Sequence, residues 1–411
     1  ELTKFCPFLC IIIKTIKFVQ QIFINKNMYW EKDIECMPRE QMIDWQVKRL
    51  QETINCAFKS KYYSEKLQGF IQQAGEIKSP EDFQKLPFTT KQDLRDNYPY
   101  GFLTVPRKEI IRLHSSSGTT GNPTAVFHNK HDLDAWANLV ARCLYMVGGR
   151  DSDVFQNASG YGLFTGGLGF QYGAEKLGML SIPAGAGNSK RQIKLMQDFG
   201  TSVVHAIPSY LTRLYEVFEE QGTDPRKDTD LRIFIIGAEP HTEAHRQRIE
   251  NLFGVKAYNC YGLSEMCGPG VAFECPNQNG LHIWEDSYIV EIINPETLEP
   301  VEEGETGELV LTTLDRQAMP LIRYRTRDLT SFVKDECSCG RTHRKIERFK
   351  GRSDDMFIIK GCNVFPMQIE KVIMNMPEAG HDYLIKLETI DGADEITIEV
   401  ELNREWFSDN Y

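Results

Sequence analysis

Two short runs, Ser202-Val203-Val204-His205-Ala206-Ile207 and Arg232-Ile233-Phe234-Ile235-Ile236, are apolar at nearly every position, and each is followed at once by a helical pattern, from Pro208 and from His241. A strand with one face in water alternates polar and apolar residues. A strand that is apolar throughout is covered on both faces, as in a parallel sheet clothed by helices. The runs therefore predict an α/β fold. Residues 131 to 147 carry Leu133, Trp136, Ala137, Val140, Leu144 and Val147 near a 3.6-residue period and stop at Gly148-Gly149, which predicts an amphipathic helix just after a Ser/Gly-rich loop. From residue 281 the texture becomes β-rich, with Tyr288 to Ile293 and Gly307 to Leu314 separated by turn residues. Beyond residue 351 come a short strand, a helix opened by Pro366 and a hairpin around Asp391-Gly392. The expected architecture is a large multi-subdomain N-terminal domain, 28–351, with parallel sheets and a β-rich subdomain, and a small α+β C-terminal domain, 352–411.

At 411 residues the chain has room for such a core. Acidic residues outnumber basic ones by 58 to 47, and no Lys/Arg run appears, so a nucleic-acid surface is excluded. Eleven Cys in this length is too sparse for a disulfide scaffold and fits a reducing cytoplasm. Residues 1–27 contain Phe8-Leu9-Cys10-Ile11-Ile12-Ile13, but Lys14, Lys17, Gln20 and Gln21 interrupt it below the ~18 apolar residues of a membrane span, so no membrane partner is expected. That segment reads as a non-native or disordered extension.

Chemistry is concentrated in Ser115-Ser116-Ser117-Gly118-Thr119-Thr120-Gly121-Asn122-Pro123-Thr124. Small residues and glycines let backbone N–H groups close on phosphate oxygens while hydroxyls add donors. Alone, such a stretch is an ordinary surface turn. It is followed in order by Tyr261-Gly262-Leu263-Ser264-Glu265, by Leu321-Ile322-Arg323-Tyr324-Arg325-Thr326-Arg327-Asp328, and by Gly351-Arg352-Ser353-Asp354-Asp355. With these four motifs the chain from about Met28 onward resembles the acyl-adenylate-forming superfamily and, within it, the phenylacetate-CoA ligase family.

The resemblance implies an ATP-dependent ligase that joins an aryl acid to coenzyme A through an acyl-adenylate, with Mg²⁺. It places ATP on Ser116, Ser117, Gly118, Thr119, Thr120 and Gly121, where Thr124 stands in place of the superfamily's usual lysine, as in this branch. It implies further nucleotide contacts from Gly237, Ala238, Glu239, Pro240, Asn259, Tyr261, Gly262, Ser264, the ribose acid Asp328, and Arg352. Glu265 is the implied Mg²⁺ carboxylate, Asp354 the hinge, and Thr119, Glu265 and Arg352 the catalytic set. The aromatic and glycine-rich stretch 160–167 resembles the acyl-pocket motif; Tyr161, Phe164, Gly166, Trp136 and Ile236 are the expected pocket residues. A related adenylating enzyme with a non-CoA acceptor, of the coenzyme F390 synthetase kind, and an inactive ATP-binding module are the alternatives. A homodimer is the commonest assembly for such enzymes. The family's adenylation lysine lies in a Gly-Lys motif near the C-terminus, and no such motif precedes Tyr411, so the small domain reads as truncated and adenylation as weak.

Separately, Cys337-Ser338-Cys339 in a reducing compartment reads as a metal pair rather than a disulfide. His205 and Cys260, at the ends of apolar strands, are the expected partners in a structural Zn²⁺ site, with Cys275, His282 or His343 as substitutes.

Overall fold

The structure, a computed structural model, describes residues 28–116, 123–354, 357–359, 362–364, 366–373, 376, 378–390 and 393–402. The expectations for residues 1–27 and for Ser117, Gly118, Thr119, Thr120 and Gly121 lie outside the described residues. A long helix, α1 (Arg39–Ala57), precedes the hairpin β1 (Arg112–Ser116) and β2 (Thr124–His128) that flanks the Ser/Gly-rich loop. Then come α2 (Lys130–Met146), β3 (Val154–Asn157), α3 (Thr165–Leu177), β4 (Leu180–Ile182), α4 (Ser189–Phe199), β5 (Val203–Ala206), α5 (Pro208–Glu220), β6 (Ile233–Gly237), α6 (Glu243–Phe253) and β7 (Lys256–Leu263). The chain continues through β8 (Gly268–Glu274), β9 (Leu281–Ile283), β10 (Tyr288–Ile293), β11 (Gly307–Thr313), β12 (Tyr324–Thr330) and β13 (Lys345–Ile346).

One eight-stranded sheet, ordered β13-β9-β8-β7-β6-β5-β3-β4, carries the fold. Its five strands from β7 to β4 are parallel, and β8, β9 and β13 add antiparallel pairs. All of β5 and β6 is buried, as their uniformly apolar sequence requires. Helix starts follow local chemistry: Asn129 and Asp132 form a reciprocal capping box at α2, Pro208 occupies the first turn of α5, and Thr242 caps α6 through His245 N–H. Asp132 also accepts from the backbone N–H groups of Gln317 and Ala318, fixing α2 to the segment before β12.

The expected β-rich region is an antiparallel sheet of β10, β11 and β12. Beyond it lie β14 (Phe357–Ile359), β15 (Cys362–Val364), α7 (Pro366–Ile373) and the hairpin β16 (Ala379–Ile390) and β17 (Ala393–Leu402). Among the described residues no helix is long and apolar enough to cross a membrane.

The parallel register puts the carboxyl ends of β3, β5, β6 and β7 side by side: Asn157 opposite His205, Ala206 opposite Ile236, Gly237 opposite Cys260. Ligands in open α/β sheets bind in the crevice outside such strand ends.

Candidate functional site

Two cavities open at that edge. One, of about 320 Å³, is lined by residues 237 to 241 after β6, by Asn259 to Gly262 of β7, and by Asp328, Arg348, Phe349 and Arg352. Tyr261 lies against Phe349 with ring centroids 4.1 Å apart and planes 30° apart, so one face of the ring is backed and held. Its hydroxyl donates to Asp328 Oδ2 at 2.6 Å, and Arg352 Nη1 donates to Oδ1 at 3.2 Å. Burial raises the Asp328 carboxyl to about 6, against the opposing pull of the Tyr261 hydroxyl and the Arg352 cation. Arg352 also grips both oxygens of Asp354, at 2.9 and 3.0 Å. Ala238 sits at φ 68°, left-handed backbone that costs a non-glycine residue about 1–3 kcal/mol and is characteristic of functional sites. The Glu239 carboxylate turns away to accept from the Ser209 N–H and hydroxyl at the start of α5. The Glu239 carbonyl meets His241 Nδ1 at 3.3 Å.

The second cavity, about 440 Å³, is walled by Ala158 to Gly160, Phe164 to Gly167, Phe170, His205, Tyr210 and, on its inner side, Ala238, Cys260, Gly262, Leu263, Ser264 and Pro269. Ala238, Cys260 and Gly262 line both cavities, so the two spaces meet at the end of β7. At the root of the Ser/Gly-rich loop, Thr124 Oγ1 is 2.5 Å from Ser116 Oγ and 3.5 Å from Glu265 Oε1. Glu265 is 4% exposed, and its backbone carbonyl accepts from Arg316 Nη1. The carboxylate thus faces the strand that leads into residues 117–122.

Residues 70–314 match the family described as AMP-binding enzyme, and 361–411 match the AMP-binding enzyme C-terminal domain. The chain is 43% identical over 385 residues to a phenylacetate-coenzyme A ligase of Thermus thermophilus, covering 92% of this chain and 86% of that protein. It is 48% identical over 326 residues to a phenylacetate-coenzyme A ligase of Pseudomonas putida, covering 79% and 73%. The chain belongs to the phenylacetate-CoA ligase family. Among solved structures, this family member superposes on 2-hydroxyisobutyryl-CoA ligase in the postadenylation state with TM-score 0.86 and 30% identity, over 92% of this chain and 82% of that one. On the same ligase with CoA in the thioesterification state the TM-score is 0.78, at 31% identity and the same coverage.

Three expected pocket residues do not line the second cavity. Ile236 is fully buried in the same apolar cluster as Phe234 and Leu211, because its side chain lies on the face of β6 covered by α5 and α6. Trp136 is 2% exposed and donates its indole N–H to Pro269 O at 2.9 Å, standing behind the cavity wall. Phe164 and Gly166 line the cavity, whereas Tyr161, next to the lining Gly160, is half-buried with its hydroxyl sealed from solvent and is not among the lining residues. Phe349 and His241 also line the first cavity, and no motif marked either, because both stand in loops between elements.

A metal-ligand cluster lies on the other side of the sheet edge. Cys275, His282, Cys337 and Cys339 bring their ligand atoms within 4.8 Å of one another. The cause is topological. Antiparallel pairing of β13 with β9 folds the loop carrying Cys337 and Cys339 over the β8–β9 turn, whereas β5 lies three strands from β8. His205 and Cys260 are therefore not in this cluster. His205 Nδ1 is bonded to Asn157 and Ser159, and Cys260 faces the two cavities. His343 is also excluded, since its Nδ1 accepts from Glu285 N–H at 2.9 Å and its Nε2 donates to Ile34 O at 3.1 Å. Cys337 and Cys339 are in the cluster as expected, and Cys275 and His282, two of the substitutes, complete it.

Proposed function

We propose that the protein joins an arylacetic acid to coenzyme A using ATP. A carboxylate oxygen attacks the α-phosphorus of ATP and the bond to pyrophosphate breaks. The CoA sulfur then attacks the acyl carbon, AMP departs with the bonding electrons, and the thiol proton passes to solvent. The observation that carries this reading is the shared wall of Ala238, Cys260 and Gly262, which lets an acid in one cavity present its carboxylate to a nucleotide in the other. Holding two reactants in such contact supplies much of the rate enhancement of reactions that need no protein nucleophile.

Asp328 accepts the ribose hydroxyls, the backbone of residues 237–240 meets the adenine edge, and Tyr261, backed by Phe349, packs on the base. Ser116, Ser117, Gly118, Thr119, Thr120 and Gly121 hold the outer phosphates, and Arg352 offsets their charge. The donor set at Glu265, a carboxylate beside two hydroxyls, suits a hard cation; Mg²⁺ bound there neutralises charge on the phosphates. The better superposition on a postadenylation state supports a hinge at Asp354, whose clasp on Arg352 would open when the C-terminal unit turns for thioester formation. The test is to give the full-length protein Mg-ATP, CoA and arylacetic acids and to follow AMP and thioester by mass spectrometry. AMP and acyl-CoA forming together are expected; adenylate without thioester would indicate another acceptor.

The cysteine cluster fits a structural Zn²⁺. Tetrahedral Zn–S bonds of about 2.3 Å put sulfurs roughly 3.8 Å apart, and Cys275 Sγ and Cys337 Sγ are 3.6 Å apart. His282 donates from Nδ1 to the His343 carbonyl at 3.0 Å, leaving Nε2, 3.3 Å from Cys339 Sγ, as the ligand atom. One zinc per chain is expected by elemental analysis. Cys339→Ser should abolish it and lower the melting temperature by about 10 °C; a metal-free wild type of equal stability would refute the site.

A further inference from the structure

The wall of the acyl cavity is apolar or glycine over most of its extent, yet β5 places a histidine in it. His205 is 3% exposed, and its ring lies against Phe170 with centroids 4.0 Å apart. Its tautomer follows from the neighbours. Asn157 Nδ2 is 2.7 Å from the Gly167 carbonyl, which can only accept, so the Asn157 amide orientation is fixed. Asn157 Oδ1 is then the atom facing both the Ser159 N–H, at 3.1 Å, and His205 Nδ1, at 3.0 Å. Nδ1 must therefore carry the hydrogen, with Ser159 Oγ at 3.1 Å as a second acceptor. Burial drives the pKa of this imidazole down to about 3, so the ring is neutral and Nε2 is a bare acceptor. Nε2 makes no hydrogen bond to the described residues, and it is not among the sealed, unpartnered atoms. The carbon beside it, Cε1, is 3.9 Å from where a Cβ on Gly166 would stand, so the absence of a side chain at Gly166 keeps this edge of the ring open to the cavity. His114, His128 and His241 also leave Nε2 without a partner, but there the atom is sealed from solvent, whereas Nε2 of His205 is reached from the cavity its ring lines.

We propose that His205 Nε2 selects aryl acids whose ring carries a hydrogen-bond donor, a phenolic O–H or an indole N–H, over unsubstituted phenylacetate. This rests on the ligase reading above and names its substrate class. A bound acid with such a donor satisfies Nε2. A bare ring strips water from it and returns nothing, and sites with a buried polar group left unpaired discriminate strongly against the analogue lacking its partner.

The test compares kcat/KM for thioester formation by the full-length protein with phenylacetate, 4-fluorophenylacetate, 3- and 4-hydroxyphenylacetate and indole-3-acetate. The best donor-bearing acid should exceed phenylacetate and the fluoro analogue by about tenfold or more, and His205→Phe, which keeps the stacking on Phe170, should bring that ratio close to one. A wild type that prefers phenylacetate, or a ratio unchanged in His205→Phe, overturns the proposal and leaves the ligase reading standing. Should the variant not fold, the wild-type ratio with its fluoro control still decides. Failure of the wild type to form a thioester from any of the five acids removes the ligase reading and this inference with it.

Discussion

Asp328→Ala is expected to lower kcat/KM for ATP by about 100-fold or more, since two hydrogen bonds to a charged acceptor each contribute roughly 1.5–3 kcal/mol. The side chain is held by Tyr261 and Arg352 on either oxygen and keeps 16% of its surface open toward the nucleotide cavity. Its pKa gives the same residue a pH signature. The carboxyl is raised to about 6, chiefly by burial. Below that pH it is protonated, loses half its accepting capacity and no longer balances Arg352; above it the carboxylate is intact. Nucleotide affinity measured by calorimetry should therefore fall as pH drops from 7.5 to 5. In Asp328→Asn it should be weak throughout, and the part of the pH step that belongs to this residue should vanish. An Asp328→Asn protein that keeps wild-type affinity and the wild-type step would show that the nucleotide does not use this carboxylate.

Arg341→Met should produce the largest loss of stability, about 3–5 kcal/mol, because removing one partner of a buried ion pair strands the other charge. Arg341 Nε lies 2.7 Å from Glu35 Oε2, with the two side chains 1% and 0% exposed. The guanidinium also donates to Met28 O at 2.7 Å and lies over the Tyr29 ring at 4.8 Å. Glu35 in turn accepts from Glu31 N–H at 2.8 Å. This pair ties the first described turn of the chain to the loop that bears Cys337 and Cys339. The shift in urea midpoint reads the effect, and Glu35→Gln combined with Arg341→Met should recover a substantial part of it. A single variant within about 1 kcal/mol of wild type would mean that water reaches Glu35.

What could be read in the sequence was whatever depends on local repetition or ordered motifs. The uniformly apolar runs of β5 and β6 announced a sheet buried on both faces, and α2 announced itself by period and by its Gly-Gly stop. The motifs around Tyr261, Asp328 and Arg352 stand far apart in the chain and meet in one cavity. What could not be read were facings and register. Ile236 and His205 lie on adjacent parallel strands, yet one points into the helix-covered core and the other into a cavity, a difference that the strand period alone leaves unassigned. Trp136 looked like a pocket ring and is a strut behind Pro269. The candidate metal cluster was legible in part: Cys337 and Cys339 stand in it as expected, but that Cys275 and His282 join them in place of His205 and Cys260 depends on β13 pairing with β9, a contact across many residues that no spacing encodes.

In the reaction proposed above, the carboxylate of the acid attacks the α-phosphorus of ATP where the two cavities join. Its most direct test supplies the full-length protein with arylacetic acid labelled with ¹⁸O in both carboxyl oxygens, together with Mg-ATP and CoA, and weighs the products. Attack at the α-phosphorus leaves one labelled oxygen on AMP when the thiol displaces it, so AMP should be heavier by one ¹⁸O and pyrophosphate unlabelled. Label in inorganic phosphate with ADP as co-product would mean attack at the terminal phosphorus and would contradict the account.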